Sequence, residues 1–184
     1  MKRSTATLIG FTAVLMWALL ALMSAASGRV PPFQLAAMTF LVGGLMGAVT
    51  WPFRKGAVLA LRQSWQVWLL GVAGLFGYHF VYFSAIRAAP AVEVSLIAYL
   101  WPLFLVVFSA FLPGERLRFH HIMGVALGLA GAVLIITRGK GLSLAEGFTV
   151  GHALAFLCSL IWSGYSVLSR RFGKVSTDVV AGFC

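Results

Sequence analysis

Acidic side chains are scarce in this sequence, which holds only 4 Asp and Glu among 184 residues. Charged residues of both signs make up 10% of the chain, whereas about 25% is usual for soluble domains. Apolar residues make up 61%, and the mean hydropathy is +0.97. A chain with so few charges cannot cover a surface that faces water. The composition instead predicts an all-α polytopic membrane protein whose surface meets the lipid bilayer.

Side chains that carry out chemistry are equally few. The sequence lacks the HExxH zinc motif, the GxSxG nucleophile motif and the Walker lysine motif. Its two cysteines have neither disulfide nor metal-site spacing. We therefore predict no enzyme activity, no cofactor and no metal, and a membrane-embedded enzyme stays only as a less favoured alternative. The acidic residues and cysteines of the whole sequence are Glu93, Glu115, Glu146, Asp178, Cys158 and Cys184.

The basic residues are a signal of membrane topology rather than of nucleic-acid binding. The net charge is +10, but the 14 Lys and Arg residues lie mostly in short gaps between apolar runs. Cytoplasmic loops carry an excess of Lys and Arg, so we expect a cytoplasmic N-terminus. That orientation leaves four basic residues outside, namely Arg29, Arg87, Arg138 and Lys140. It places ten inside, namely Lys2, Arg3, Arg54, Lys55, Arg62, Arg116, Arg118, Arg170, Arg171 and Lys174.

Six apolar runs are long enough, or nearly so, to cross the hydrocarbon core, which takes about 20 residues. Gly and Pro mark several of the gaps between them, as expected where helices stop. A seventh run begins near Asp178. The six predicted spans are Thr5–Ser27, Phe33–Phe53, Trp65–Ile86, Pro90–Leu112, Ile122–Thr137 and Phe148–Ser169.

An internal repeat is suggested when residues 11–39 are laid without a gap on residues 156–184. Five predicted spans separate the two copies, so the second copy enters the membrane in the opposite direction. We predict a first five-helix repeat at residues 1–140 and the start of an inverted second repeat at 141–184. The complete protein would have ten helices, of which this chain holds about six and a half. The identical pairs are Phe11/Phe156, Leu15/Leu160, Trp17/Trp162, Ser24/Ser169, Gly28/Gly173, Val30/Val175 and Ala36/Ala181.

Polar and aromatic side chains cluster in the third span. Tyr78 and Tyr82 are one helical turn apart and share a face, and His79 lies beside that face. Hydroxyl and imidazole groups deep in a span need partners or a wet cavity. We interpret them as walls of a substrate cavity, with interhelical hydrogen bonding or an interfacial aromatic belt as the alternative.

The fourth span contains a proline near mid-membrane. Pro102 has no N–H to donate to the carbonyl of Ala98, and its ring crowds that carbonyl. Broken helices of this kind often mark transport sites, although a simple packing kink is the alternative. Tyr99 and Trp101 flank the break and offer rings for an apolar or cationic substrate.

Four further residues are candidates for the same site. Trp17, Trp162 and Tyr165 could face the cavity from spans one and six, although core packing explains them equally well. Glu93 could bind an ammonium group at the cavity mouth. It also follows Pro90 by three residues, and an acid in the first turn after a proline is a common helix start.

These residues resemble the EamA-type drug/metabolite transporter superfamily. The resemblance rests on Glu93-Val94, Tyr99-Leu100-Trp101-Pro102, Gly114-Glu115 and the helix containing Gly124, Gly128 and Gly131-Ala132-Val133-Leu134. The start of the chain, with Ala6-Thr7-Leu8-Ile9-Gly10 and Trp17, is similar to the aromatic amino acid exporters of that superfamily.

The resemblance implies a ten-helix, two-repeat transporter of the bacterial inner membrane. Helices one to four and six to nine would surround a central cavity that alternates between the two faces of the membrane. The expected substrate is an aromatic or other apolar amino acid, and other metabolites or drugs are the alternative. A structural subunit is a more distant possibility. Span one lacks the acid of the small multidrug pumps, which argues against their proton-exchange mechanism. We expect a monomer that binds no nucleic acid.

Overall fold

The computed structural model of the chain describes residues 3–54, 56–112, 118–137, 149–173 and 175–184. Every regular element within those ranges is helical. The predicted repeat boundary at residues 140/141, the pair Gly114-Glu115, Glu146 and six of the basic residues (Lys2, Lys55, Arg116, Arg138, Lys140, Lys174) lie outside them. The α-helices are α1 (Arg3–Ala26), α2 (Pro32–Thr50), α3 (Trp65–Ala88), α4 (Ala91–Ala98), α5 (Trp101–Ser109), α6 (Phe119–Thr137), α7 (Val150–Ser169) and α8 (Val180–Phe183).

Five helical segments of the described chain are long and apolar enough to cross a membrane, which confirms predicted spans one to four and six. The fifth predicted span corresponds to α6, within which the described segment Phe119–Gly131 is apolar. Only 6% of the apolar stretch of α1 is buried against other parts of the chain, so nearly all of this helix faces outward. The five segments are Thr7–Ala26, Pro32–Phe53, Trp65–Ala88, Ala91–Ser109 and Val150–Phe172.

Glycine and proline end and begin the helices as the sequence predicts. Gly28 follows α1 with φ of +63°, a left-handed conformation that glycine adopts without a Cβ penalty. The Gly28 N–H then reaches back to the carbonyl of Ala25. Pro32 occupies the first position of α2, where the missing N–H has no intrahelical acceptor to lose.

The fourth span is broken, because α4 ends at Ala98 and α5 begins at Trp101. The Leu100 N–H bonds the carbonyl of Ile97 at 3.0 Å, which is a tighter 3₁₀-type turn. Pro102 is in the first turn of α5, where a missing N–H is tolerated. The break predicted from Pro102 is therefore present, and it separates two helices by a two-residue turn.

Helices α3 and α7 form the most extensive helix pair. A Cβ placed on Gly74 would meet the ring of Tyr165, and the thiol of Cys158 lies 3.7 Å from the carbonyl oxygen of Tyr78. A Cβ on Gly151 would come within 2.5 Å of the Cβ of Ala89, next to the end of α3. Residues later in α3 thus contact residues earlier in α7, so the two helices are antiparallel.

Helix α1 runs in the direction of α3. The Arg87 guanidinium at the end of α3 reaches Ser27 and Val30 at the end of α1, and Trp17 and Tyr78 line one cavity further back. Helix α1 is therefore antiparallel to α7. This is the relation that an inverted repeat requires, while the repeat boundary itself stays a prediction.

The helix bundle has two ends, called here the Arg87 end and the Arg54 end. The Arg87 end is where α1 and α3 end and where α4 and α7 begin. The Arg54 end is the opposite one, where an ion pair between Arg54 and Asp178 joins the segment after α2 to the segment before α8. The main core lies between α3, α4 and α7, with Val94, Ile97 and Cys158 fully buried.

Candidate functional site

A cavity of about 270 Å³ lies between α1, α3, the α4–α5 break and α7. Eight of the eleven candidate residues line it, although they come from four separate stretches of sequence. The eight are Trp17, Tyr78, His79, Tyr82, Ala98, Tyr99, Trp101 and Trp162. Helix α1 completes the wall with Met16, Ala18, Leu20 and Ala21, which the sequence reasoning did not single out.

Aromatic rings form much of the cavity wall. The centroid of the Trp162 ring lies 5.0 Å from that of Tyr78 and 6.2 Å from that of Trp17, which it meets edge-on. The rings of Tyr78 and Tyr82 are stacked with centroids 5.8 Å apart. Contacts of this kind favour a flat, apolar guest, since ring faces and edges have complementary charge.

His79 is held in one orientation by its own helix. Its Nδ1 lies 2.8 Å from the carbonyl oxygen of Leu75, and a carbonyl only accepts, so Nδ1 carries the proton. The ring of Phe40 packs against it with centroids 5.3 Å apart. In the neutral imidazole Nε2 is left as an acceptor beside the cavity.

Tyr82 has its hydroxyl committed to the neighbouring helix. Ser95 donates to the carbonyl of Ala91 at 2.6 Å, so its own oxygen is the acceptor for the Tyr82 hydroxyl at 3.1 Å. Only 3% of Tyr82 is exposed. Tyr82 therefore offers its ring rather than its hydroxyl to the cavity.

Ala98 lines the cavity at the helix break, with only 1% of the residue exposed, and α7 supports the break from behind. Pro102 does not line the cavity, but it leaves the Ala98 carbonyl without its usual helical donor. The buried Ser163 hydroxyl lies 2.8 Å from the carbonyl oxygen of Trp101 and 2.5 Å from that of Ser159. Sequence reasoning missed Ser163, although two serines one turn apart in an apolar span were a usable signal.

Glu93 lies outside the cavity lining. Its Oε2 is 2.8 Å from Nε2 of His152, the third residue of α7, which is 2% exposed. Nδ1 of His152 accepts from the backbone N–H of Thr149 at 3.0 Å, so the imidazole donates to Glu93 through Nε2. This histidine was also missed. It stands where the capping pattern Ser/Thr-x-x-Glu would have an acid.

Tyr165 also lies outside the central cavity. Its ring rests on Gly74, and its centroid is 5.6 Å from that of Trp162. It lines a second cavity of about 240 Å³ toward the Arg54 end. Among the described residues no group of three His, Cys, Asp or Glu side chains is placed to hold a metal ion.

Comparison with known proteins decides the family. The sequence profile of the EamA-like transporter family matches residues 4–137. The chain belongs to this family. Together with the five apolar helices, membership makes it a multi-pass membrane protein and confirms the resemblance drawn from the sequence.

Individual EamA relatives are similar along nearly the whole chain. The aromatic amino acid exporter YddG of Ancylobacter novellus is 54% identical, with 100% of this chain and 64% of that protein covered. YddG of Escherichia coli K12 is 26% identical over 95% of this chain and 62% of that protein. The pseudopaline exporter CntI of Pseudomonas aeruginosa is 29% identical over 82% of this chain and 51% of its own length.

A solved crystal structure has the same fold. It matches with a TM-score of 0.74 and 52% identity, over 100% of this chain and 64% of the other. The chain thus spans less than two thirds of the length of each of these relatives.

Proposed function

We propose that this EamA-family chain provides substrate-binding walls in an exporter of aromatic and other apolar amino acids. The observation that carries the proposal is the convergence of eight candidate residues on one aromatic cavity between four helices. The name of the Ancylobacter relative, an aromatic amino acid exporter, supports the same substrate class. In this proposal the protein lies in the bacterial inner membrane with its N-terminus in the cytoplasm. The Arg54 end of the bundle therefore faces the cytoplasm.

Cavity size favours an amino acid over a larger drug. The central cavity is about 270 Å³, slightly below the range of roughly 300–1,000 Å³ that drug-sized ligands occupy. Trp17, Tyr78 and Trp162 present ring faces and edges to an aromatic side chain. The substrate side chain therefore binds between α1 and α7, where these rings meet.

The broken helix supplies the polar contacts. Helix α4 ends at Ala98, whose carbonyl has lost its usual donor because Pro102 has no N–H, and this negative end of the helix dipole attracts an ammonium group. Helix α5 begins at Trp101, and the positive end of its dipole attracts a carboxylate, while Pro102 has no N–H and the Leu103 N–H already bonds the carbonyl of Leu100. Two half-helices meeting at one cavity thus bind both charges of a zwitterion, as discontinuous helices do in other transporters.

Transport follows from exposing this cavity alternately to the two sides of the membrane. The antiparallel relation of α1 and α7 supports a mechanism in which two oppositely inserted repeats rock around the cavity. The 1–140 and 141–184 division assigns α1 to one repeat and α7 to the other. Trp17 and Trp162 therefore touch across the repeat boundary, in the region where rocking changes the width of the cavity.

Counterflow in proteoliposomes tests the proposal. Liposomes containing the full-length protein are loaded with unlabelled L-phenylalanine, and uptake of labelled L-phenylalanine is measured against protein-free liposomes. Transient accumulation that unlabelled tryptophan abolishes and glutamate does not is the expected result. Absence of phenylalanine accumulation, together with counterflow of pseudopaline, would favour the substrate of the CntI relative.

A further inference from the structure

The second cavity lies toward the Arg54 end of the bundle and is almost as large as the first, at about 240 Å³. Its walls come from the first half of α3, the end of α7 and the segment leading into α8. They combine apolar side chains with hydroxyl groups. Representative lining residues are Val67, Leu70, Ser169, Thr177 and Phe183.

The two cavities lie on one seam between α3 and α7. On α3, Gly71 lines the second cavity and Tyr78 the central one, seven residues or about 10 Å further along the helix. On α7, Ser169 lines the second cavity and Trp162 the central one, again seven residues apart. Because the helices are antiparallel, both pairs mark the same direction through the bundle.

The side chain of Tyr165 lies between the two cavities along α7. The ring of Tyr165 rests directly on Gly74, where even a Cβ atom has no room. Tyr165 is part of the wall of the second cavity, and its ring neighbour Trp162 is part of the wall of the central one. Because Gly74 has no side chain, the Tyr165 ring packs directly against the backbone of α3. The ring thereby separates the two cavities along the α3–α7 interface.

We infer that the second cavity is a loading site where the same amino acid binds from the cytoplasm before it enters the central cavity. Tyr165 is the partition that the substrate passes. The inference rests on the proposed function and on the cytoplasmic position of the Arg54 end. Val67, Leu70 and Phe183 accept an apolar side chain, and the hydroxyls of Ser169 and Thr177 offer weak polar contacts. None of the described residues that line this cavity carries a fixed charge, which suits brief rather than tight binding.

Cysteine labelling tests the loading site. All natural thiols of the full-length protein, Cys158 and Cys184 among them, are first replaced by serine, and retained counterflow is checked. Single cysteines are then introduced by S169C in the second cavity, A18C in the central cavity and R171C on an exposed surface outside both. A membrane-impermeant methanethiosulfonate is applied from the cytoplasmic face of inside-out vesicles, with and without L-phenylalanine.

The expected result is protection at both cavities. At ten times its dissociation constant L-phenylalanine leaves about one site in eleven empty, so labelling of S169C and A18C slows about tenfold. Labelling of R171C stays unchanged. Protection of A18C without protection of S169C overturns the loading site and leaves the proposed function standing. Protection of neither overturns both.

The partition is tested separately with Tyr165. In the A18C background, Y165A removes the ring from Gly74, whereas Y165F keeps it. We expect A18C to be labelled faster from the cytoplasmic face in Y165A and at the original rate in Y165F. An unchanged rate in Y165A contradicts the partition. If Y165A does not reach the membrane, Gly74→Ala displaces the same ring and must give the same acceleration.

Discussion

Ser163 of α7 lies with its hydroxyl oxygen 2.8 Å from the carbonyl oxygen of Trp101, the first residue after the break in the fourth span, and shares its one proton between that carbonyl and the carbonyl of Ser159. Ser163 is fully buried, so water does not compete for this hydrogen bond. The bond joins the first helix of the predicted second repeat to the broken helix of the first. It supports the backbone of Trp101 from behind while the Trp101 side chain lines the cavity.

Replacing Ser163 by alanine is expected to weaken substrate binding modestly. Hydrogen bonds between membrane helices contribute about 0.6 kcal/mol to stability on average, so we expect a rise in KM of at most roughly threefold. Ser163→Thr keeps a hydroxyl and restores the original KM. The matched control is S159A, because Ser159 is equally buried but donates only to Phe156 of its own helix. Equal KM changes in S163A and S159A would mean that the bond to Trp101 does not position the site.

Trp101→Ala is expected to lower efflux of aromatic amino acids without affecting membrane insertion. The variant removes a ring from the cavity wall and leaves the backbone break, which depends on Pro102, in place. W65A is the control, since Trp65 is 70% exposed and outside the cavity. Counterflow of labelled phenylalanine is the measurement. Wild-type efflux from W101A would remove Trp101 from the proposed site.

Glu93 is expected to affect stability rather than substrate affinity. E93A removes the carboxylate that accepts from the buried Nε2–H of His152, and the loss of this hydrogen bond costs about 1–3 kcal/mol. E93Q retains an amide oxygen that can accept the same bond, so it loses less. Thermal unfolding in detergent measures the stability, and phenylalanine binding measures the affinity. A tenfold loss of affinity in E93Q, at unchanged stability, would instead support the ammonium-binding role considered for Glu93 from the sequence.

Arg87 is expected to hold the end of α1 against α3. Its guanidinium donates to the carbonyl of Val30 at 3.1 and 3.2 Å and to the Ser27 hydroxyl at 2.6 Å. R87A removes these donors from the segment that follows α1, and it also removes the N–H that reaches the Ser24 carbonyl in the last turn of α1 at 3.4 Å. Hydrogen exchange at residues 24–30 should become faster in R87A and stay unchanged in R62A, which alters an exposed arginine at the other end. Equal exchange in both variants would show that α1 is held by other contacts.

Gly151 is expected to tolerate no side chain. A Cβ there would lie 2.5 Å from the Cβ of Ala89 and 2.7 Å from the backbone of Ala88 and Ala89, so α7 would have to move away from α3. Overpacking of this kind costs about 1–3 kcal/mol. G124A is the matched control, because nothing lies within 4 Å of its Cβ position. Its thermal stability should be equal or higher, given the better helix propensity of alanine. Equal stability of the two variants would contradict the close packing of α3 and α7.

Most span boundaries follow from the sequence because the bilayer sets the length of an apolar helix. Predicted span three, Trp65–Ile86, differs from α3 by two residues, and the break in span four lies next to Pro102. The first follows from the number of apolar residues, and the second from a missing N–H. Both are properties of residues close together in the chain, so no tertiary contact is needed to predict them.

What only the tertiary structure decided is which faces meet across long stretches of chain. Tyr165 is three residues from Trp162 and was predicted to share its cavity, yet it rests on Gly74 beside a second cavity. Glu93 was considered at a cavity mouth, yet it bonds His152. Apolar periodicity is weak in helices that lipid surrounds, because lipid and protein neighbours are both apolar. Direction and rotation of each helix therefore depend on close packing at glycines and on a few buried polar contacts, which form only when the helices come together.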